Sequence, residues 1–578
     1  MVKEIKNLSN EEIMKILQEL VIFYEIENIN FKSRAIEKAL HNIGALDRSL
    51  KDIYQEKGIS GLEEIPGVGK GIAKRIEEII KTGTLKEYEN YKKKIPIDIE
   101  NLTKIEGIGP KKIAILWEKL KIKNVEELEK AAKEHKICKI SKFGEKSEEK
   151  ILKGIEFYKS SGQRFILGFI EPLVMEIKDF LQSFKEVKKI EIAGSFRRRK
   201  ETIGDIDILV ASKEPEKVVE KFLKMKNIAY VYAKGDTKCS VKLENGLDVD
   251  LRIIDNKSFG AALMYFTGSK EHNIELRQYA IKKGYKLNEY GLFKKEKFIS
   301  GASEEEVYEK LGLQWIPPEL REAKGEISLA EENKIPKILG YNELKGDLQI
   351  QTNWTDGSNS IEEMVEAAIE NGLSYIAITD HTKYLKMTGG LDEKEILKQV
   401  EEIKKINKKY EGKIKVLTGA EVNILPDGSL DIKDEILEKL DFVGASVHSH
   451  FNLDKDKQTK RIIRAMENPN VDCIFHLTTR IINRRKEIDV DFDAIFKVAA
   501  KTKTILEINA YPDRLDLKDN YIFEAKKYGI KFVINSDAHS KMHFKFLKYG
   551  IAQARRGWCE KDDILNAWPL DKFLKFKK

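Results

Sequence analysis

The hydrophobic pattern of this 578-residue chain changes period twice, and each change demands a different way of burying apolar surface. In residues 1–95 apolar positions recur at three and four (Ile13, Leu17, Leu20, Val21, Tyr24), the spacing of an amphipathic helix. A second helical block follows to about residue 160. From 187 to 255 the pattern becomes short β runs: VKKIEIAGS, GDIDILVAS, AYVYAK and LDVDLRII. A mixed segment leads to Pro317–Pro318. Residues 319–345 have few apolar residues in register and read as a linker. Beyond Gly346 short apolar runs alternate with helical segments to the end, the pattern of a parallel β/α barrel. A chain of this length exceeds one core, and about three to five compact units are expected.

Bulk properties exclude some classes and select none. Hydrophobic residues make up 41%, an ordinary value for a globular protein, so a disordered chain is excluded. No stretch approaches the roughly 20 apolar residues of a membrane span. The N-terminal MVKEIKNLSNEEIMKILQEL is charged and amphipathic and lacks a signal-peptide core, so a cytoplasmic location is expected. Cys138, Cys239, Cys473 and Cys559 form no CxxC pair and read as isolated reduced thiols, not as a zinc site. A net charge of +8 is compatible with nucleic acid but selects nothing by itself.

Two segments repeat one design: LEEIPGVGKGIAKRIEEI (62–79) and LTKIEGIGPKKIAILWEKL (102–120). Each places Gly-apolar-Gly before a helix. The glycines permit a tight hairpin, and the backbone N–H groups of Gly67, Gly69, Gly107 and Gly109 would point at a ligand before a helix N-terminus. That arrangement suits phosphate oxygens. Lys70, Lys74, Lys111 and Lys112 add cationic charge. These segments resemble helix-hairpin-helix motifs, which grip the DNA backbone without reading sequence. A plain helix-turn-helix packing element is the bland alternative, and the repetition of the pattern weighs against it.

Residues 192–210 read IAGSFRRRKETIGDIDILV. Asp205 and Asp207 lie two apart on a β run, so both carboxylates face one side of the sheet. Asp250 ends the similar run LDVDLRI. Three converging carboxylates suit two Mg²⁺ ions, with Mn²⁺ as a substitute, and two such ions support in-line nucleotidyl transfer. Gly194–Ser195 would turn tightly beside a triphosphate, and Arg198 could meet its oxygens in bidentate fashion. A DxD alone would be a solvated strand edge; the upstream Gly-Ser-x-Arg-Arg and the third Asp change that reading.

GSFRRRKETIGDID resembles the palm signature of family X DNA polymerases, and MYFTGSKEHNIELR (264–277) resembles that family's nucleotide-binding segment. LNEYGLF (287–293) and LGLQWIPPELRE (311–322) are also similar, and the likeness covers about 5–322 in family order. The resemblance implies that Asp205, Asp207 and Asp250 are catalytic metal ligands and that Ser195, Arg198 and Gly204 hold the triphosphate. It further implies that Tyr265 and Phe266 line the sugar, that Gly268 gives backbone approach, and that Asn273 and Arg277 contact the nascent base pair and template. Expected partners are gapped or primer-template DNA and dNTPs, with no membrane and a monomer by default; the expected setting is base excision repair. A template-independent nucleotidyltransferase shares the Gly-Ser…Asp-x-Asp core and remains the alternative, as does a DNA-binding scaffold without chemistry. One departure concerns the first helical unit. Relatives carry there a lysine that forms a Schiff base with an abasic sugar; here that position is Arg75, and a guanidinium is not an amine nucleophile. Weak or absent deoxyribose-phosphate lyase activity is expected.

In the last unit most expected strands end in a metal-capable residue: Asp380–His381, Glu421, His448, His476, Asn509 and Asp537–His539. Such positions cluster at one face of a β/α barrel. The donor set suits Mn²⁺, Zn²⁺ or Fe²⁺. GDLQIQTNWTDGS, AITDH, GAEVNILPDGSLD, ASVHSHF, LEINAYPDRLDL and INSDAHS resemble the PHP (polymerase and histidinol phosphatase) domain. The resemblance implies Asp356, His381, Glu421, His448, His476, Asp537 and His539 as ligands of Mn²⁺ or Zn²⁺, and a 3′→5′ exonuclease activity. The family's His-x-His is here Gln349-Ile350-Gln351, and its His-Pro-Thr-Gly is His476-Leu-Thr-Thr479. Amides coordinate borderline transition metals poorly, so incomplete metal occupancy is expected. An impaired domain and a nuclease working with fewer ions both remain open.

The expected architecture is therefore multidomain: all-α helix-hairpin-helix subdomains at 1–95 (lyase-like) and 96–160, an α/β nucleotidyltransferase palm at 161–255, and a nucleotide-selecting subdomain at 256–318. The linker at 319–345 and a distorted (β/α) barrel PHP domain at 346–578 complete it.

Overall fold

The computed structural model describes residues 8, 10–27, 29–44, 46, 48–103, 105, 108–141, 143–161 and 164–577. The N-terminal part is helical. Helix Asn10–Ile26 turns Ile13, Leu17, Leu20, Val21 and Tyr24 inward, as its period demands. Helix Lys70–Thr82 buries Ile72, Ala73, Ile76, Ile79 and Ile80 and stops at Gly83, whose left-handed φ of 83° closes its C-terminus. One apolar core runs from Ile13 to Ile155, so the two helical blocks pack against each other.

The next unit is a five-stranded sheet in the order Val187–Ile192, Asp205–Ser212, Asp248–Ile254, Lys238–Leu243, Ile228–Lys234. Asp205–Ser212 and Asp248–Ile254 run parallel, and the other neighbours are antiparallel. Four of these strands match the expected β runs. Lys238–Leu243 (KCSVKL) does not stand out, because its polar alternates hide a half-buried pattern. A small unit follows, in which helices Phe259–Thr267 and Lys270–Lys282 and a three-stranded sheet share a core with Leu311, Ile316 and Leu320.

The expectation of a linker over 319–345 is corrected. The segment forms short helices at Pro318–Leu320 and Glu326–Glu331. Arg321 and Glu326 are fully buried. Arg321 donates two hydrogen bonds to Glu304, at 2.7 and 2.9 Å, and Glu326 meets His272 Nδ1 at 2.6 Å. Burial here is carried by paired charges, which leave no apolar periodicity to read.

The C-terminal unit is a seven-stranded parallel sheet in sequence order, from Gly346–Asp347 to Phe532–Asn535. A parallel bridge from Ile350 to Ala538 joins its first and last edges, giving a nearly closed barrel. Alternate residues serve two cores: Ile376 and Ile378 enter one, Tyr375 and Ala377 the other. The barrel also docks on the five-stranded unit, whose core takes in Ile482, Leu515, Phe546 and Tyr549. At Gly168 a Cβ would stand 2.7 Å from Pro512, so only glycine allows this approach. Among the described residues no helix is long and apolar enough to cross a membrane.

Candidate functional site

Parallel pairing of Asp205–Ser212 with Asp248–Ile254 sets Asp207 directly beside Asp250. Asp205 shares the face of Asp207 by strand alternation, so three carboxylates meet on one face of the sheet. Burial, then the charges of Asp205 and Asp250, push Asp207 up to about 7; Arg252 and Arg198 oppose this only in part. A site short of positive charge, lined by hard oxygen donors, fits Mg²⁺. Gly194, at φ +60°, lies under it: a Cβ there would stand 2.7 Å from Asp207 Oδ2. The turn after the first strand therefore requires glycine on both conformational and steric grounds.

Ser195 sits in the one-turn helix Gly194–Arg197, and Gly204 immediately precedes Asp205. A Cβ on Gly204 would approach Arg164 Nη1 at 3.1 Å. Arg198 donates from Nε to Glu322 Oε1 (3.0 Å) and from Nη1 to the Thr267 carbonyl. Gly268, at φ +68°, would bring a Cβ within 3.2 Å of that same Nη1. The Tyr265 and Phe266 rings meet edge to face, with centroids 5.1 Å apart. Arg252 covers Phe266 at 4.4 Å and lies 3.7 Å from Asp250 Oδ2, which ties the aromatic pair to the carboxylates. Asn273 donates to the Tyr265 carbonyl (2.6 Å), and Arg277 donates to the Asn273 carbonyl (3.2 Å). Tyr265, Asn273 and Arg277 line one small cavity with Met264 and Leu276.

Sequence reasoning missed three residues that brace this arrangement. Arg197 forms a fork on Glu304 at 2.7 and 2.9 Å, and Arg321 forms a second fork on the same carboxylate. Glu304 is almost fully buried; although burial alone would raise it, Arg321 and Arg197 hold it far below the usual carboxylate range. Arg197 lies inside the quoted motif, but its partner is 107 residues away.

At the first hairpin Gly67 has φ +77°, and a Cβ would press on Asn42 Nδ2 and the Lys38 carbonyl at 3.3 Å. Gly69 caps helix Lys70–Thr82 in extended geometry, with no side-chain cap and open space above it. Its first N–H groups are thus exposed to a ligand. Gly109 caps helix Pro110–Leu120 in the same way. Gly107 lies outside the described residues. Lys70, Lys74 and Lys111 are exposed, whereas Lys112 is half-buried over Phe143. Arg75 is engaged from all sides: with Glu87 (3.0 Å), the Tyr24 hydroxyl (2.9 Å) and the Gly71 carbonyl (3.0 Å).

In the barrel Glu421 is the hub and is fully buried. Its Oε1 meets His476 Nε2 (2.9 Å), His448 Nε2 (3.2 Å) and the Ser446 hydroxyl (2.6 Å). Its Oε2 faces His381 Nδ1 at 3.4 Å. Although burial raises it, the facing histidines hold Glu421 well below the usual range, and burial pushes His448 down to about 4. Ligand atoms of His381, Glu421 and His448 lie within 4.8 Å of one another, as do those of Asp356, His381 and His539. His381 serves both groups through its two ring nitrogens. These imidazoles and carboxylates fit two divalent ions.

The corner near Asp537 differs. Asp537 Oδ2 accepts from Asn509 Nδ2 (3.1 Å) and lies 3.4 Å from Arg514 Nε. Gln351 Nε2 donates to Glu421 Oε2 at 2.7 Å. Gln349 accepts from Asn509 at 3.2 Å. Gln349 Nε2 and Gln351 Oε1 are buried without a protein partner. This corner does not fit a further ion as the other two groups do. Asp537 and His476 belong to neither group of three: Asp537 lies 3.9 Å from His539 Nδ1, and His476 meets Glu421 at 2.9 Å. One further cluster was missed: His135, Cys138 and Glu148 also come within 4.8 Å. There Glu148 is spent on the Ile137 and Cys138 N–H groups.

Comparison with known proteins agrees with this layout. Family models match for a helix-hairpin-helix domain (8–85), a SAM-like helix-hairpin-helix tandem (99–156) and the DNA polymerase beta palm (170–250). The DNA polymerase beta thumb (262–322) and the PHP domain (347–558) also match. The DNA polymerase/3′-5′ exonuclease PolX of Bacillus subtilis (strain 168) is 38% identical over 576 residues, covering 99% of this chain and 100% of that protein. A probable phosphatase of Thermoanaerobacter sp. (strain X514) is 31% identical over 232 residues, 38% of this chain and 89% of that protein. The structure of Leishmania infantum polymerase beta in a ternary P/T complex shares 27% identity over 39% of this chain and 97% of its own, with a TM-score of 0.25.

Proposed function

This chain belongs to the PolX family, DNA-directed DNA polymerases of family X with a C-terminal PHP domain, and on that premise we propose how its residues divide the work. Asp205, Asp207 and Asp250 hold two Mg²⁺ ions. Ions held there would supply activation of a primer 3′-OH and charge for the departing pyrophosphate. The observation that supports this most is the parallel register that sets Asp207 beside Asp250, with Asp205 on the same face.

The other assignments follow from position. Ser195, Arg198, Gly204 and Gly268 receive the triphosphate. Tyr265 and Phe266, pinned by Arg252, bound the sugar, and Asn273 and Arg277 reach the nascent pair. The exposed helix starts at Gly69 and Gly109, with Lys70 and Lys111, grip duplex phosphates on either side of a short gap. Residues 1–95, 96–160, 161–255 and 256–318 form the working units, with 319–345 belonging to the packed body rather than to a spacer. Replacement of Asp205 by Ala tests the polymerase assignment: incorporation into gapped DNA should fall by at least about a thousandfold, and intact incorporation would refute it.

For the PHP domain we propose a two-ion phosphoesterase of reduced power. Asp356, His381 and His539 would hold one Mn²⁺ or Zn²⁺, and His381, Glu421 and His448, with His476 against Glu421, the other; bound ions would supply a nucleophilic water. The Gln351–Glu421 hydrogen bond supports the reduction, since it engages Oε2 of the hub carboxylate with an amide in place of an imidazole ligand. Measurement of bound Mn²⁺ by calorimetry on the Asp205→Ala protein should give two ions per PHP domain, and three would refute it.

A further inference from the structure

The polymerase's triphosphate grip is braced from the PHP domain. Glu322, which takes the Nε of Arg198, is shared: Arg556 Nη1 reaches the same Oε1 at 3.1 Å and Lys200 Nζ reaches Oε2 at 3.6 Å. Arg556 closes helix Leu547–Arg556 of the barrel and is only 3% exposed. Its Nη1 also donates to the backbone carbonyl of Arg198 at 2.8 Å. Its Nη2 is anchored on Asp519 Oδ2 at 2.5 Å, within the barrel. A continuous chain Asp519–Arg556–Glu322–Arg198 therefore runs from the PHP domain to the nucleotide pocket.

We propose that Arg556 is a positioning residue of the polymerase reaction, setting how Arg198 is presented to the incoming triphosphate. This rests on the reading of Arg198 as a triphosphate ligand. Three contacts carry the argument. The Arg198 backbone is fixed by Arg556. The Nη1 end of the Arg198 side chain is held at the Thr267 carbonyl beside Gly268. The Glu322 carboxylate, mostly buried, divides its charge between two guanidiniums. Without Arg556 that carboxylate would draw on Arg198 far more strongly and compete with phosphate oxygens for it. The neighbouring pair, Arg555 on Glu319 at 2.7 Å and on the Leu339 carbonyl at 2.7 Å, keeps the helix end in place.

The experiment uses the full-length protein on gapped DNA. The Arg556→Ala variant should raise KM for dNTP roughly tenfold and weaken competitive inhibition by inorganic tripolyphosphate by the same factor, with kcat within about twofold. Arg480→Ala serves as the structural comparison. It removes another ion pair between the units, Arg480 on Glu201 at 2.6 Å, without touching Glu322. It should leave both constants unchanged. An unchanged dNTP KM in Arg556→Ala overturns the proposal. So does an equal rise in Arg480→Ala, or a KM rise without the matching loss of tripolyphosphate inhibition. Arg198→Ala separates the premise: if it leaves dNTP KM unchanged, the reading of Arg198 falls; if it raises KM and Arg556→Ala does not, only the present inference falls.

Discussion

Two glutamines stand at the PHP centre where the family motif has histidines. Gln351 bonds Glu421 with its amide nitrogen, and its oxygen and the nitrogen of Gln349 are buried without protein partners. The double substitution Gln349→His with Gln351→His should add one bound Mn²⁺ and raise primer shortening at least about tenfold. Calorimetry and a 5′-labelled primer check the two arms together, and an unchanged ion count would contradict the account. Arg75 gives the second prediction at this scale. It is held by Glu87, Tyr24 and Gly71, and exposed Lys74 lies about 100° round the helix. Borohydride should trap no covalent adduct with an abasic-site DNA under conditions that trap a lyase; an adduct at Lys74 would refute it. The glutamines and Arg75 are visible as departures from a motif. Their hydrogen-bond partners are not, because those lie up to 160 residues away.

At the scale of elements, the strands and the two hairpin helices were legible because apolar runs and helical spacing report burial directly. Lys238–Leu243 was hidden by polar alternates, and 319–345 by its charge pairing. Helix Leu167–Gln182 shows what such pairing does. Its Glu171 accepts from Arg199 (2.6 Å), Tyr549 (2.8 Å) and Lys548 (2.7 Å), joining the palm to the barrel. Burial would raise this carboxyl, but Arg199 and Lys548 overcome it and hold it at about 2. A depressed carboxylate contributes its stability above its unfolded value near 4.5 and loses it as pH falls through the folded value near 2. The shift corresponds to about 3 kcal/mol. Glu171→Gln should therefore lower Tm clearly at pH 7, and the gap to wild type should narrow between pH 4.5 and 2. A gap independent of pH would contradict the assignment. The hairpins carry their own test: Lys70→Ala should reduce the log–log salt slope of DNA binding by about 0.9, the share of one phosphate.

At the scale of the whole molecule, the order of the units was legible in the sequence and their contacts were not. The palm core includes side chains from beyond residue 480, and Gly168 meets Pro512. Helix Asn30–Ile43, beside the first hairpin, approaches the barrel as well: Lys38 donates to the Gly357 carbonyl (3.3 Å) and Asn42 to the Ser358 hydroxyl (3.2 Å). The palm site and the barrel site are thus built into one body. The separation of their roles is tested most directly with one gapped DNA whose primer carries a 5′ label, given to wild type, Asp205→Ala and His381→Ala, each with and without dNTPs. The account predicts that only Asp205→Ala loses extension, and that primer shortening without dNTPs is slow and disappears only in His381→Ala. Extension by the Asp205→Ala protein, or shortening that survives His381→Ala, would contradict it.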